Sequence, residues 1–277
     1  MISVSQKNLL KLAEENEQKG DIETAIQNLE EALRSGRSNE IMLYLCRLYR
    51  KNNQGDRAYT LIKEEPDLFS DQQVYKEYCE ILAANHFFIE ALQLERLSGK
   101  KIPIKVEAAS VEKQNLIMDL FKRQKNVTQW DYEQLLKLDL VNFKNFAQSL
   151  LLDPSQNFAV RLSLCEDLIR LRVKENIKII ILGEEEKFVP ADTLLLEQSP
   201  IYKEIISGIG SKFRNNPSQL PMMLGEINLI LGGLYPKLSS YVDETDSFTS
   251  DLISFLNTGN GRRHQKLFKK IYTYLPK

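Results

Sequence analysis

The sequence predicts an all-α fold: a superhelix of paired helices, followed by a second helical array into which one β-hairpin is inserted. Three observations carry this. Small residues recur at an interval of 33, pairing Ala13 with Cys46 and Cys79, and Ala25 with Ala58 and Ala91. Apolar residues elsewhere mostly keep the three- and four-residue spacing that lines one helix face. One stretch, NIKIIIL at 176–182, breaks that period with a run of β-branched isoleucines.

The larger residues follow the same interval. Leu9, Met42 and Tyr75 form one column, Leu12, Leu45 and Tyr78 a second, and Ile26, Tyr59 and Leu92 a third. A large-large-small stripe on each first helix is therefore expected to face the second helix of its own unit. Connectors fall between the two columns: Lys19–Asp21, Asn53–Asp56 and Ala84–His86. Glycine or asparagine there can take the left-handed conformation that stops one helix, and Asp21 or Asp56 can cap the next. A single pair cannot bury its apolar face, but three stacked pairs share one core.

On these residues the segment from about 5 to 99 resembles the tetratricopeptide family. The first unit reads Leu9, Leu12, Ala13, Ala25, Leu29, Ala32, the second Met42, Leu45, Cys46, Tyr49, Ala58, Ile62, and the third Tyr75, Tyr78, Cys79, Leu82, Ala91. Glu65 and Glu95 depart from the family pattern late in the second and third units, where a charge in a buried column is costly and a shortened or exposed final turn is the alternative. The resemblance implies a tetratricopeptide-type superhelix over residues 1–103. It implies protein binding as the general role and specifies no partner.

The Lys101–Pro103 step interrupts the pattern, so residues 104–277 form the second domain. Amphipathic stretches at about 110–124, 130–138, 143–151 and 158–172 suit a HEAT-like array of stacked pairs. Pro154 ends one helix and Asn157 opens the next. The hairpin is placed near 176–189, with NIKIIIL and KFV as strands and the acidic Gly183–Glu186 run as an exposed turn. Helices resume from Asp192, from about 217 to 234, from about 248 to 256, and from Arg262 to Tyr274. Helical repeats, a HEAT-like part with one inserted hairpin, and a late helix running from AsnProSer to LeuTyrPro at Asn216–Pro236 are together similar to a group of low-GC Gram-positive tetratricopeptide proteins that carry no assigned chemistry.

Charge balance narrows the function classes. The chain has 37 lysines and arginines against 38 acids, leaving no long-range field to draw in nucleic acid or an anionic membrane. Three widely spaced cysteines and two histidines supply neither a disulfide framework nor the parts of a zinc centre or hydrolytic triad. Neither GxGxxG nor a phosphate loop occurs. The expectation is a soluble cytoplasmic protein that is not an enzyme, uses no cofactor or metal, and does not span a membrane. The tail RRHQKLFKKIYTYLPK carries six cations and no acid. It reads as a capping helix with a wet basic side; a local surface for nucleic acid, membrane or an acidic protein is the competing reading. For the chain as a whole, a nucleic-acid-associated protein using this tail and an unrecognised enzyme are the alternatives to a scaffold.

Candidate binding residues come from the face of the first helices that a curved array leaves open. They are Lys7 and Lys11 in the first unit, Tyr44, Arg47, Arg50 and Lys51 in the second, and Lys76 in the third. Tyr44 offers an amphipathic ring, and Arg47 and Arg50 offer forked donors for the carboxylate of an acidic or carboxy-terminal peptide. A merely solvated face is one alternative; Glu14, Glu77 and Glu80 on the same face, which shrink the positive patch and favour a mixed-charge ligand, are another. The family's lysine-and-asparagine clamp for chaperone tails is matched in part only: Glu14 stands where the asparagine belongs, and its charge repels a terminal carboxylate.

Overall fold

The structure is a computed structural model that describes residues 3–214 and 216–274. It is almost entirely α-helical, with one small antiparallel hairpin, and divides into two compact units at Asp139 and Leu140.

In the first unit α1 (Val4–Gln18) packs on α2 (Ile22–Arg34), α3 (Asn39–Lys51) on α4 (Gly55–Lys63), and α5 (Gln72–Asn85) on α6 (Phe88–Ser98). Successive pairs meet through α2 on α3, α4 on α5, and α3 on α5. Side-chain caps start the helices: Ser3 and Gln6 form a capping box on α1, and Asp21, Ser38 and Asp71 cap α2, α3 and α5. Positive φ at Gly20 and Asn53 turns the chain after α1 and α3, as the connectors predict. After α5 the left-handed residue is His86, not Asn85. Asn85 is buried instead, its amide donating to the carbonyls of Gly55 and Ile81 at 3.0 Å each. Asp56 caps nothing: it lies inside the first turn of α4, whose capping position is Gln54.

The small-residue columns are closed to solvent. Ala13, Cys46, Cys79, Ala25 and Ala58 are fully buried and Ala91 nearly so. Cys46 Sγ lies 3.7 Å from the Ala58 carbonyl oxygen, facing the second helix of its own pair. Burial pushes the Cys46 and Cys79 thiols up from their ordinary pKa, which keeps them protonated and inert.

One stripe residue departs from its expected place. Leu12 is 46 % exposed, and the amide of Gln6 is buried in α1 instead, donating to the carbonyls of Ala32 (3.1 Å) and Gly36 (2.8 Å). Glu65 follows the short α4 and is paired with Arg37 at 3.1 Å, so the late departure in the second unit coincides with a truncated helix. A buried carboxylate that no periodicity announces occupies the third pair. Glu90 accepts from the hydroxyls of Tyr78 (2.5 Å) and Tyr59 (2.7 Å) and from Lys63 Nζ (2.6 Å).

The compact unit continues past the Lys101–Pro103 break. The helix α7 (Val111–Arg123) buries Gln114, which donates to the Ala109 carbonyl and accepts from the Asp139 amide. A short helix α8 (Gln129–Gln134) leads into a 3-10 turn at Leu135–Lys137 that packs on α6 and α7. Lys137 is buried there, 5.0 Å from the Phe87 ring centre and 3.8 Å from Asp56. Desolvation lowers its pKa.

The second unit holds α9 (Leu140–Leu151), α10 (Phe158–Arg170), the strands β1 (Ile177–Ile181) and β2 (Glu184–Phe188), then α11 (Pro200–Lys212), α12 (Leu220–Leu234), α13 (Leu238–Tyr241), α14 (Thr245–Thr258) and α15 (Gln265–Tyr274). The hairpin forms where the isoleucine run predicts it, but its turn is tighter. Ile181 pairs with Glu184, and Leu182 and Gly183 alone make the turn, both at positive φ. The three glutamates are therefore strand residues. Ile177, Ile179 and Ile181 face inward beneath α9, and Gln148 of α9 clamps the outer edge of β1 by accepting from the Lys178 amide (3.0 Å) and donating to its carbonyl (2.8 Å). Arg161 of α10 donates to the Ile180 carbonyl on the same edge.

Helix does not resume at Asp192. Two 3-10 turns, Pro190–Asp192 and Leu196–Gln198, precede α11. In the tail, Phe268 and Ile271 of α15 are buried, and α15 packs on α12 and α14. His264 is also buried and holds Asp251 at 2.9 Å. Lys270 pairs with Glu184 at 2.7 Å, and Arg263 with Asp243. Leu275 and Lys277 of the predicted tail lie outside the described residues.

Candidate functional site

The three helices that open the pairs in the first unit, α1, α3 and α5, jointly line a cavity of about 880 Å³. Its apolar part is Leu43 and Tyr44 from the middle of α3. The helical phase that buries Met42, Leu45 and Cys46 places Leu43, Tyr44 and Arg47 on the other side, where Leu43 and Tyr44 are half-buried and Arg47 is exposed. The structure thus brings Tyr44, Arg47, Lys51 and Lys76 into one groove. Lys7 and Lys11 of α1 are exposed and do not line it; Lys11 lies 3.9 Å from Glu15.

Arg50 has a different environment from the one expected of a ligand-facing donor. Its side chain is only 20 % exposed and forks onto Glu77 (2.9 and 3.1 Å) and Glu80 (2.8 Å) of α5. Burial alone would lower its pKa, but the hydrogen bonds and charges of Glu77 and Glu80 leave it raised. Arg50 joins the second pair to the third, and both of its donor faces are taken.

The remaining cations and the phenol converge on Glu17. This carboxylate accepts from Tyr44 Oη at 2.6 Å and Lys51 Nζ at 2.8 Å, with Arg47 at 3.8 Å. The Lys51 hydrogen bond, then that of Tyr44, holds Glu17 below the usual carboxylate range. Arg47 also stacks its guanidinium 4.6 Å from the Tyr44 ring centre. Burial and the Glu17 hydrogen bond push the Tyr44 phenol up to about 12, so near neutral pH it is a protonated donor. The ring is clamped by its hydroxyl and one face before any ligand arrives, an arrangement that lowers the ordering cost of using it as an anchor.

Charge on the groove differs in sign from the basic patch that the sequence suggests. Its lining contains Glu14, Glu17, Glu40, Asp71, Glu77 and Glu80 against Arg47, Lys51 and Lys76. Glu17, Glu40 and Asp71 are the residues that sequence reasoning passed over, although a signal for each was present. Glu17 lies one turn beyond Glu14, Glu40 one turn before Tyr44, and Asp71 at the capping position of α5. Among the described residues no group of three or more histidines, cysteines, aspartates and glutamates could hold a metal ion, and no helix is long and apolar enough to cross a membrane.

Comparison with family models, with curated proteins and with solved structures finds no match to this chain.

Proposed function

We propose that the chain is a protein-interaction scaffold of tetratricopeptide type, and that the groove along α1, α3 and α5 holds an extended segment of a partner protein. One observation carries the reading. A cavity of about 880 Å³ runs across the first helices of three successive pairs and has at its middle a half-buried tyrosine oriented in advance by Glu17 and Arg47. Oriented aromatics beside an open groove are the usual energetic centre of peptide recognition. The 33-residue recurrence of buried small residues supports the repeat assignment, because it lets each pair close tightly while the opposite face stays open.

The test is capture of partners from the native cell on the immobilised full chain, compared with a Leu43→Ala/Tyr44→Ala variant. This substitution leaves every charge in place. Loss of a retained protein by a variant that remains folded and melts cooperatively is expected, since truncating an anchor typically removes about 2 kcal/mol or more of binding. Full retention by the stable variant would move the site out of the groove. Reversing the exposed cations Lys266 and Lys269 on α15 serves as the control and should leave capture intact.

A further inference from the structure

We infer that the occupant of this groove is a basic segment, one that presents lysine or arginine side chains at intervals along an extended chain, and not an acidic tail. The inference rests on the scaffold reading above and fixes the chemistry of its partner. A cation-reading groove and an anion-reading groove differ in which charges remain unsatisfied once internal pairs are made. Here the internal pairs consume three of the four cations, Lys76 excepted. Arg50 is enclosed by Glu77 and Glu80, and Lys51 and Arg47 are turned toward Glu17. Counting Arg50, six carboxylates stand against four cations, which leaves two negative charges on the groove.

The position of that surplus matters as much as its size. Glu14 on α1 and Glu40 at the start of α3 are exposed and make no ion pair among the described residues. They flank the Leu43 and Tyr44 floor, so an apolar ligand side chain seated on Tyr44 would have its neighbours beside carboxylates. Lys76 is the one lining cation for which no acidic partner is within ion-pair distance among the described residues, and it is exposed. An acidic ligand would meet Glu14 and Glu40 unscreened and would have to draw Lys51 and Arg47 away from Glu17. A basic ligand instead takes the place that Lys51 holds on Glu17. Lys51 thus acts as an internal competitor, which gives the two signs of ligand opposite responses to its removal.

The experiment uses the full chain, fluorescein-labelled, on an array of random-sequence peptides of known composition, followed by anisotropy titrations of the tightest binder. Enrichment of lysine and arginine among bound peptides is expected, with affinity falling as salt is raised. Lys51→Ala, at an exposed position, should tighten that binding about two- to fivefold, the reciprocal of an exposed ion pair of about 0.4–1 kcal/mol. Glu14→Lys/Glu40→Lys should weaken it about tenfold or more. Enrichment of aspartate and glutamate, or weaker binding after Lys51→Ala, would overturn the assignment of sign and leave the groove standing. Binding to no peptide, or binding unchanged by Leu43→Ala/Tyr44→Ala, would overturn the groove itself and the inference with it.

Discussion

Replacing Glu90 by leucine should destabilise the first unit by about 2–5 kcal/mol. The magnitude follows from its three partners. Tyr78 is fully buried with its hydroxyl 2.5 Å from Glu90, and orphaning that donor costs about 1–3 kcal/mol. Tyr59 loses a 2.7 Å acceptor worth about 1 kcal/mol. The Lys63 side chain is 42 % exposed, so its pair adds no more than about 1 kcal/mol. Urea titrations followed by far-ultraviolet circular dichroism measure the loss. The decisive comparison is Glu90→Leu against Glu90→Leu/Tyr78→Phe. Removing both ends of a buried hydrogen bond costs less than removing one, so the double variant should recover at least about 1 kcal/mol. A Glu90→Leu protein within about 0.5 kcal/mol of the parent, or a double variant weaker than the single, would refute the account.

Two further expectations concern the same unit. Cys46→Leu should cost about 1–3 kcal/mol in the same titration, because added volume meets the Ala58 backbone 3.7 Å from the sulfur; a neutral result would mean that the column tolerates bulk. Glu17→Gln should lose stability in a pH-dependent way. The folded pKa of Glu17 is depressed, so the carboxylate's contribution is complete above its unfolded value, at about pH 5 and higher, and disappears as pH falls through the folded value. The parent and Glu17→Gln melting curves should therefore differ at neutral pH and converge in acid, and a constant gap would contradict the assigned cluster.

Much of the helical layout was legible because small residues at helix crossings admit few substitutes: Ala13, Cys46 and Cys79 announce their burial by recurrence. The hairpin was legible from its isoleucines, but its turn was not. Nothing in GEEE distinguishes a long acidic turn from a two-residue turn at Leu182 and Gly183 with the glutamates paired along β2. Leu12 and Gln6 show where periodicity misleads. Gln6 is buried because its amide satisfies two carbonyls at the end of α2, a partnership set by tertiary placement and invisible in α1 alone. For the groove, the central helix was legible and the pairing of its charges was not: Lys7 and Lys11 lie outside the lining. Arg47, Arg50 and Lys51 read as a basic patch that Glu77 and Glu80 merely shrink, whereas Glu77 and Glu80 enclose Arg50 and the unforeseen Glu17 takes Lys51, across 27 to 34 residues of chain. The extension of the first unit to Asp139 likewise involves a long-range contact, the hydrogen bond that the Asp139 amide donates to Gln114.

The Gln148 amide bears on how this chain behaves outside its native state. By copying the donor and acceptor of a neighbouring strand, it ends the sheet at β1 without contributing a strand to it. The segment it closes off, Ile177–Ile181, has the β-branched, weakly charged composition that templates intermolecular stacking when left uncovered. In the folded chain that template is shut on one side by a side chain of α9 and bordered on the other by three consecutive glutamates. During synthesis, α9 emerges from the ribosome before β1, so the cover is made before the surface it protects. Thermal unfolding of the second unit carries no such order and uncovers the isoleucine strand.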